Sequence, residues 1–197
     1  MGVNSREAIL AAATRIAQTY GYNGLNFRDL AADVGIKAPS IYHHFQSKAD
    51  LGAAVARRYW EDAAAGLDAI SAEFADDPVR ALHEYPTRVF RRSLENGNRL
   101  CLCSFMSAEH DDLPAEVQKQ VQAFADVNIA WLSKTLLAAG LVKRAESEAR
   151  ARSIFAAISG AQLMARSRAD ISLFDGLIDG YRAAGLLPDA KQGSRKS

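Results

Sequence analysis

The groups best placed to do chemistry crowd into one short run. Between Gly35 and Lys48 stand Lys37, Ala38, Pro39, Ser40, Tyr42, His43, His44 and Lys48. Hydroxyls, imidazoles and ammonium groups at these spacings can bond phosphate oxygens and base edges. Ala38 and Pro39 offer small apolar surface, suited to a thymine methyl. Ser40 can bond a base or a phosphate. Tyr42, His44 and Lys48 carry donors that can straddle a sugar-phosphate backbone. Arg28, a little upstream, can reach a guanine edge or a phosphate. It can equally pair with Asp29 or Asp33 on the surface, which contributes little. His43 reads as a contact or as plain surface. Ile36, Ile41 and Phe45 are the apolar residues that should pack inward and hold the segment.

Two other clusters could carry chemistry. The first is Cys101 and Cys103, in the run Arg99 to Glu109. Residues two apart in a helix point away from each other, which argues against a disulfide between them. Two free thiols fit a reducing compartment. A helix N-terminus lowers a thiol's pKa, and Arg99 nearby adds positive charge. Cys103 reads as a small buried hydrophobe, and Cys101 as either that or a reactive thiol. The second cluster is Glu109-His110-Asp111-Asp112, just before Pro114. It lacks the i, i+4 spacing of a helical metal site, and reads as a solvated loop with a capping acid. His83 stands alone. No nucleophile and base share a suitable spacing, and no glycine-rich phosphate loop is present. These features point away from an enzyme, and imply no cofactor and no metal.

The elements that must position these groups read as helices throughout. The fold class is all-α, with about nine helices. Alanine is abundant, β-branched runs are absent, and glycines cluster where periodic segments end. Ile9, Ala13, Ile16, Ala17 and Tyr20 make one apolar face of a first helix over about 4–20. Gly21 and Gly24 end it. Asn26 caps a short second helix over 27–34, with Asp29 near its positive end. Gly35 makes the turn, and Pro39 fits the first turn of a third helix near 38–46. A glycine turn between two short helices is the layout of a helix-turn-helix. Ser47 caps a long fourth helix over about 48–72, with Asp50 as a short capping-box acid. Asp77-Pro78 opens a fifth, in which Pro86 should cause a kink, and Asn96-Gly97-Asn98 closes it. Further helices are predicted over about 100–109, from Pro114 to Ala139, and over about 146–168 and 171–185. The tail 189–197 is polar and should fray.

Composition bounds the rest. The 197 residues are 49% hydrophobic and carry a net charge of +1, so the whole chain is not a basic nucleic-acid coat. The charge is uneven. Residues 1–58 hold Arg6, Arg15, Arg28, Lys37, Lys48, Arg57 and Arg58 against Glu7, Asp29, Asp33 and Asp50, an excess of three. Such an excess suits a site that touches a few phosphates. No apolar run approaches the ~20 residues of a membrane span, and no signal peptide is evident. The expected location is the cytoplasm.

Here the residues carry a resemblance. Gly21-Tyr22, Phe27-Arg28-Asp29-Leu30-Ala31, Val34-Gly35-Ile36, and Ser40-Ile41-Tyr42-His43-His44-Phe45 followed by Ser47-Lys48 and Leu51 resemble the N-terminal domain of the TetR/AcrR family of transcriptional repressors. Asn26 stands where that family usually has threonine. Ala38-Pro39 stand where many members carry Lys-Gly, so the operator bases cannot be inferred. The resemblance implies a helix-turn-helix DNA-binding domain over 1–47 and an effector-binding and dimerisation domain over 48–188. It implies double-stranded palindromic operator DNA, a small-molecule effector and a second copy of the chain as partners, the copies meeting through the last two helices. Ala156, Ala157, Ser159, Gly160, Ala161 and Ala165 give those helices small side chains that allow close approach. A repressor released by its effector is the reading, with an activator or a ligand-free regulator left open.

The effector half offers local hints. Val117, Val121, Phe124, Asn128, Trp131 and Thr135 fall on one helical stripe. Asn128 is a polar residue on that apolar face. It either orients a ligand or makes a structural hydrogen bond. Tyr59, Phe90 and Phe105 join Phe124 and Trp131 as candidate lining, though aromatic stripes are commonly plain core. Many family members carry a cysteine matching Cys101, and in some it senses electrophiles. The implied effector-binding set is Tyr59, Phe90, Cys101, Phe105, Phe124, Asn128 and Trp131, and the effector is a small molecule that could be electrophilic.

Overall fold

A computed structural model describes residues 2–189. The expected tail at 189–197 lies outside the described residues except for Asp189. The described chain is helical with no strand. Its helices are α1 (Gly2–Tyr20), α2 (Phe27–Val34), α3 (Ala38–His44), α4 (Lys48–Glu73), α5 (Pro78–Tyr85), α6 (Arg92–Glu95), α7 (Leu102–Ser107), α8 (Ala115–Ala138), α9 (Arg144–Arg168) and α10 (Ile171–Ala183). A π-helical stretch, Pro86–Arg91, joins α5 to α6, and a 3₁₀ turn, His110–Asp112, precedes α8. With α5 to α6 taken as one interrupted helix, the described residues hold nine helices, as the periodicity predicts.

The interruption has a local cause. Pro86 has no N–H to give to the turn before it. The chain answers by widening into π geometry over Pro86–Arg91. Most of the other differences from expectation lie at helix ends: α7 is shorter than 100–109, and α9 begins at Arg144.

Packing divides the chain into two compact units. Among the described residues one holds 2–61 together with Cys101–Phe124, and the other holds Asp62–Leu100 and 125–189. The first unit thus gathers the N-terminal helices with α7, which packs on α1. Its core includes Ile9, Ala13, Ala17, Leu30, Ile41, Phe45, Leu51 and Val55. Ile9, Ala13 and Ala17 form the expected inner face of α1, but Tyr20 is 67% exposed and lies off it. In the second unit α9 and α10 pack together and against the π-helical stretch. Leu82, Tyr85, Phe90, Ile154, Ile158, Phe174 and Ile178 are buried there. A division by role at Ser47/Lys48 would place α7 apart from α1, whereas packing joins them.

Candidate nucleic-acid interface

The DNA-reading candidates sit on α2, α3 and the start of α4, all in the first unit. Asn26 fixes the entry to α2. Its Oδ1 accepts from the amides of Arg28 (2.8 Å) and Asp29 (3.4 Å), which are otherwise orphaned at a helix start. Gly35 fixes the exit. It adopts φ 73°, ψ 32°, its N–H donates to Ala32 O and the N–H of Ile36 donates to Ala31 O. This is a Schellman closure, which needs a left-handed residue. Nothing lies within 4 Å of a Cβ built on Gly35, so backbone conformation alone requires glycine there.

The turn then delivers α3 with one face down. Ile41 is fully buried and Phe45 is 3% exposed; Ile36 is half-buried. The opposite face carries the candidates. Lys37, Pro39, Ser40, Tyr42 and His43 are exposed, and Ala38 and His44 are partly so. Lys37 caps α3 through its extended backbone, and Pro39 stands in the first turn. The His43 and His44 rings meet edge to face at 5.5 Å. Tyr42 is held from one side by Phe27, edge to face at 4.8 Å, while more than half its surface stays open. The sequence did not single out Phe27 for this support.

Arg28 is free to act. Asp33, a partner the sequence offered it, is taken by Arg15 at 2.9 Å, and among the described residues Arg28 forms no ion pair. Lys48 is anchored without being neutralised. Its Nζ donates to Asn23 O at 3.2 Å and lies 4.7 Å from the Tyr22 ring centre. Arg28, Ala38, Tyr42, Ser47 and Lys48 share the walls of an open cleft of about 600 Å³, with Asn23 and Asn26. The N-termini of α2 and α4 both border it. Two helix starts, two cations and a phenol around one concavity are groups of the kind that attract anions.

The effector candidates divide between the units. In the first, Tyr59 and Phe124 pack with ring centres 5.5 Å apart, and Phe105 is half-buried. The Cys101 thiol is fully buried at the start of α7. Burial pushes it above the ordinary range; the Ser104 hydroxyl and amide, the Tyr59 hydroxyl and the Cys103 amide pull the other way. The lowered pKa expected at a helix N-terminus is therefore corrected, because desolvation of the thiolate outweighs those donors. Cys103 is buried and pushed well up, by burial first and by Cys101 second, as a core thiol should be.

In the second unit Phe90, Asn128 and Trp131 are buried around Tyr85. Tyr85 stacks on Trp131 at 5.4 Å and meets Phe90 edge to face at 6.0 Å. Trp131 Nε1 donates to Ser71 Oγ at 2.8 Å. Gln162, which no pattern in the sequence marks, is fully buried and donates to the Phe90 carbonyl at 2.7 Å. Its position next to Ala161 disguised it as part of a small-residue surface. Among the described residues no group of three or more His, Cys, Asp or Glu could hold a metal. No described helix is long and apolar enough to cross a membrane.

Comparison with known proteins gives the same answer for the reader. Residues 9–55 match the family described as bacterial regulatory proteins, tetR family. The HTH-type transcriptional repressor AcnR of Corynebacterium efficiens is 37% identical over 86 residues, which is 44% of this chain and 44% of that protein. The AcnR of Corynebacterium glutamicum is 36% identical over 85 residues, again 44% of the relative. The match thus spans under half the length of these relatives. Solved structures extend the likeness. A TetR transcriptional regulator from Legionella pneumophila superposes with a TM-score of 0.86 at 29% identity, covering 93% of this chain and 99% of that one. A TetR-family regulator from Agrobacterium tumefaciens gives 0.80 at 26%, covering 92% and 97%. The helices around the cleft thus match the N-terminal domain of the tetR family of bacterial regulatory proteins, and the described chain shares the fold of TetR-family transcriptional regulators.

Proposed function

We propose that the protein is a repressor that binds a palindromic operator as a homodimer in the cytoplasm and leaves it when a small-molecule effector binds. One observation carries the DNA-binding part. Lys37, Pro39, Ser40, Tyr42 and His43 are presented outward on a helix whose other face is locked by Ile41 and Phe45. The flanking Arg28 and Lys48 lie on the same cleft. In this assignment Ala38, Pro39 and Ser40 face base edges, while Tyr42, His44, Lys48 and Arg28 grip phosphate. The AcnR relatives, named as repressors, favour the same direction of control.

Pairing is supported by α9 and α10. Leu163 and Met164 are 57% and 47% exposed. On these helices Gly160, Gly176 and Gly180 have nothing within 4 Å of a built Cβ. Large apolar groups beside bare backbone suit close helix packing against a second copy. Two reading helices would then meet half-sites about one DNA turn apart, ~34–36 Å.

Release follows from differential affinity. An effector that binds the DNA-incompetent arrangement better shifts the protein toward it by that difference alone. Tyr59, Cys101, Phe105 and Phe124 are the candidate contacts in the first unit, and Phe90, Asn128 and Trp131 are separate candidates in the second. The narrower form, an electrophile acting on Cys101, has the surrounding donors in its favour and burial against it. Equal operator release by a reactive aldehyde in wild type and Cys101→Ser would remove that form.

Fluorescence anisotropy with the duplex upstream of the protein's own coding sequence tests the main reading. Tight, salt-sensitive binding to the palindrome is expected, well above binding to random duplex. No preference over random duplex at moderate salt would sink it.

A further inference from the structure

Lys48 does not stand by itself. Its ammonium is fixed by the carbonyl of Asn23 and the ring of Tyr22. Those two residues form the turn after α1, and both of their backbone amides are bonded by one carboxylate. Glu109 Oε2 accepts from the Tyr22 amide at 2.6 Å, and Glu109 Oε1 accepts from the Asn23 amide at 3.1 Å. Asp112 adds a third contact, accepting from the Asn23 side-chain amide at 3.1 Å. Charge-assisted bonds to two successive amides are strong and directional.

The turn is shaped for that carboxylate. Gly21 has φ 70°, and a Cβ there would stand 2.2 Å from Glu109 Oε2 and 2.5 Å from its Cδ. Glycine is needed both for the backbone conformation and for the approach of the acid. On the far side Tyr22 is 6% exposed and lies against α4, where a Cβ on Gly52 would fall 2.6 Å from its ring. The turn is thus clamped between Glu109 and α4.

Glu109 in turn is rigidly attached to α7. Its amide donates to Met106 O and the Ala108 amide to Phe105 O, both at 3.0 Å. Met106, Cys103 and Leu102 bury α7 in the first unit. A displacement of α7 therefore reaches the carboxylate directly.

We propose that Glu109 is a positioning residue for DNA binding. It couples the placement of α7 to the placement of Lys48, through the amides of Tyr22 and Asn23. The proposal rests on the reading of Lys48 as a phosphate contact. It supplies a non-covalent route from α7 to the reader, beside the covalent one through α4. When α7 moves, the carboxylate leaves the turn, Asn23 is released and the ammonium loses its fixed position.

Operator affinity of Glu109→Gln, Lys48→Ala and the double variant tests this, with the upstream duplex as probe. Glu109→Gln should bind the operator about tenfold more weakly, and its salt slope should fall by about one unit, as for Lys48→Ala. The double variant should bind no more weakly than Lys48→Ala alone, since both changes remove one contact. A merely structural role for Glu109 would give additive losses and an unchanged slope. Asp112→Asn perturbs only the exposed outer contact and keeps the test open if Glu109→Gln melts. It should cost about threefold, absent in the Lys48→Ala background. A wild type that prefers no duplex removes the regulator reading and this proposal with it. A wild type that binds while Glu109→Gln and Asp112→Asn bind equally well, or lose affinity additively, removes this proposal alone.

Discussion

Tyr85 Oη donates a 2.8 Å hydrogen bond to Oδ1 of Asn128, and both residues are wholly buried. On the sequence, Asn128 was a polar residue on an apolar stripe, open to a ligand or to a structural partner. The structure supplies the partner. The same Tyr85 ring stacks on Trp131, whose indole N–H donates to Ser71. An effector that uses Asn128 would have to compete with this bond.

Tyr85→Phe removes the donor and keeps the ring. Because it deprives a buried acceptor of that bond, it should cost about 1–3 kcal/mol in urea unfolding. Tyr85→Phe with Asn128→Leu should cost less than the sum of the two single changes, since the bond between them can be lost only once. Additive losses would mean that the bond contributes nothing of its own.

Asn26 does the work that threonine usually does in the family. Asn26→Ala leaves the Arg28 and Asp29 amides without their shared acceptor. It should lower stability by about 1 kcal/mol. Asn26→Thr should stay within about 0.5 kcal/mol of wild type, as both residues cap well. Thermal melts of the three proteins decide it. A loss in Asn26→Thr as large as in Asn26→Ala would show that the asparagine has a role beyond the cap.

The reader was largely legible because its signals are local. Asn26, Gly35, Pro39, Ile41 and Phe45 act within one or two helical turns, so type and spacing define them. The support of Tyr42 by Phe27 was not legible, since it needs the angle between α2 and α3. Nor was the bond of Glu109 to Tyr22 and Asn23, which spans more than eighty positions of sequence. The acid was visible and so was Gly21, but nothing local joins them. The Cys101 environment misled for the opposite reason. A helix start is a local signal for a low pKa, while burial is a tertiary effect and outweighs it. Gln162 was hidden by its small neighbours, because an amide that bonds a carbonyl across the fold has no periodicity of its own.

Burial of the two thiols makes stability depend on pH in a definite direction. In the unfolded chain each titrates near the ordinary cysteine value of 9.0, and in the folded chain both are pushed higher. As pH rises through that value the unfolded chain loses its protons first, so the folded state is disfavoured. The stabilisation is fully present below the unfolded pKa and is lost as pH climbs past it. Urea midpoints should therefore fall between about pH 8 and pH 10, and Cys101→Ser with Cys103→Ala should flatten that fall. Iodoacetamide should label the native protein slowly at neutral pH. Tyr59→Phe, which removes one donor from Cys101, should push the thiol higher still. Labelling of Cys101 at neutral pH as fast as free cysteine would overturn the balance described for this site.

Met164 tests the pairing surface with little risk to the monomer. It is about half exposed, at the edge of α9 next to the exposed Leu163. A carboxylate placed there stays solvated in a single chain but is desolvated beside apolar groups if a second copy covers it. Met164→Asp should therefore convert a dimer to a monomer in sedimentation velocity, with far-UV circular dichroism unchanged. Operator affinity should drop about a hundredfold, because each half-site is then held without the effective concentration supplied by its partner. Leu163→Asp should act alike, whereas Arg152→Asp, on an exposed part of α9 where the arginine pairs with Glu148, should leave the assembly intact. A wild type that sediments as a monomer at micromolar concentration would remove the dimer from the proposed function. Retention of the dimer in both Met164→Asp and Leu163→Asp would place the pairing surface elsewhere.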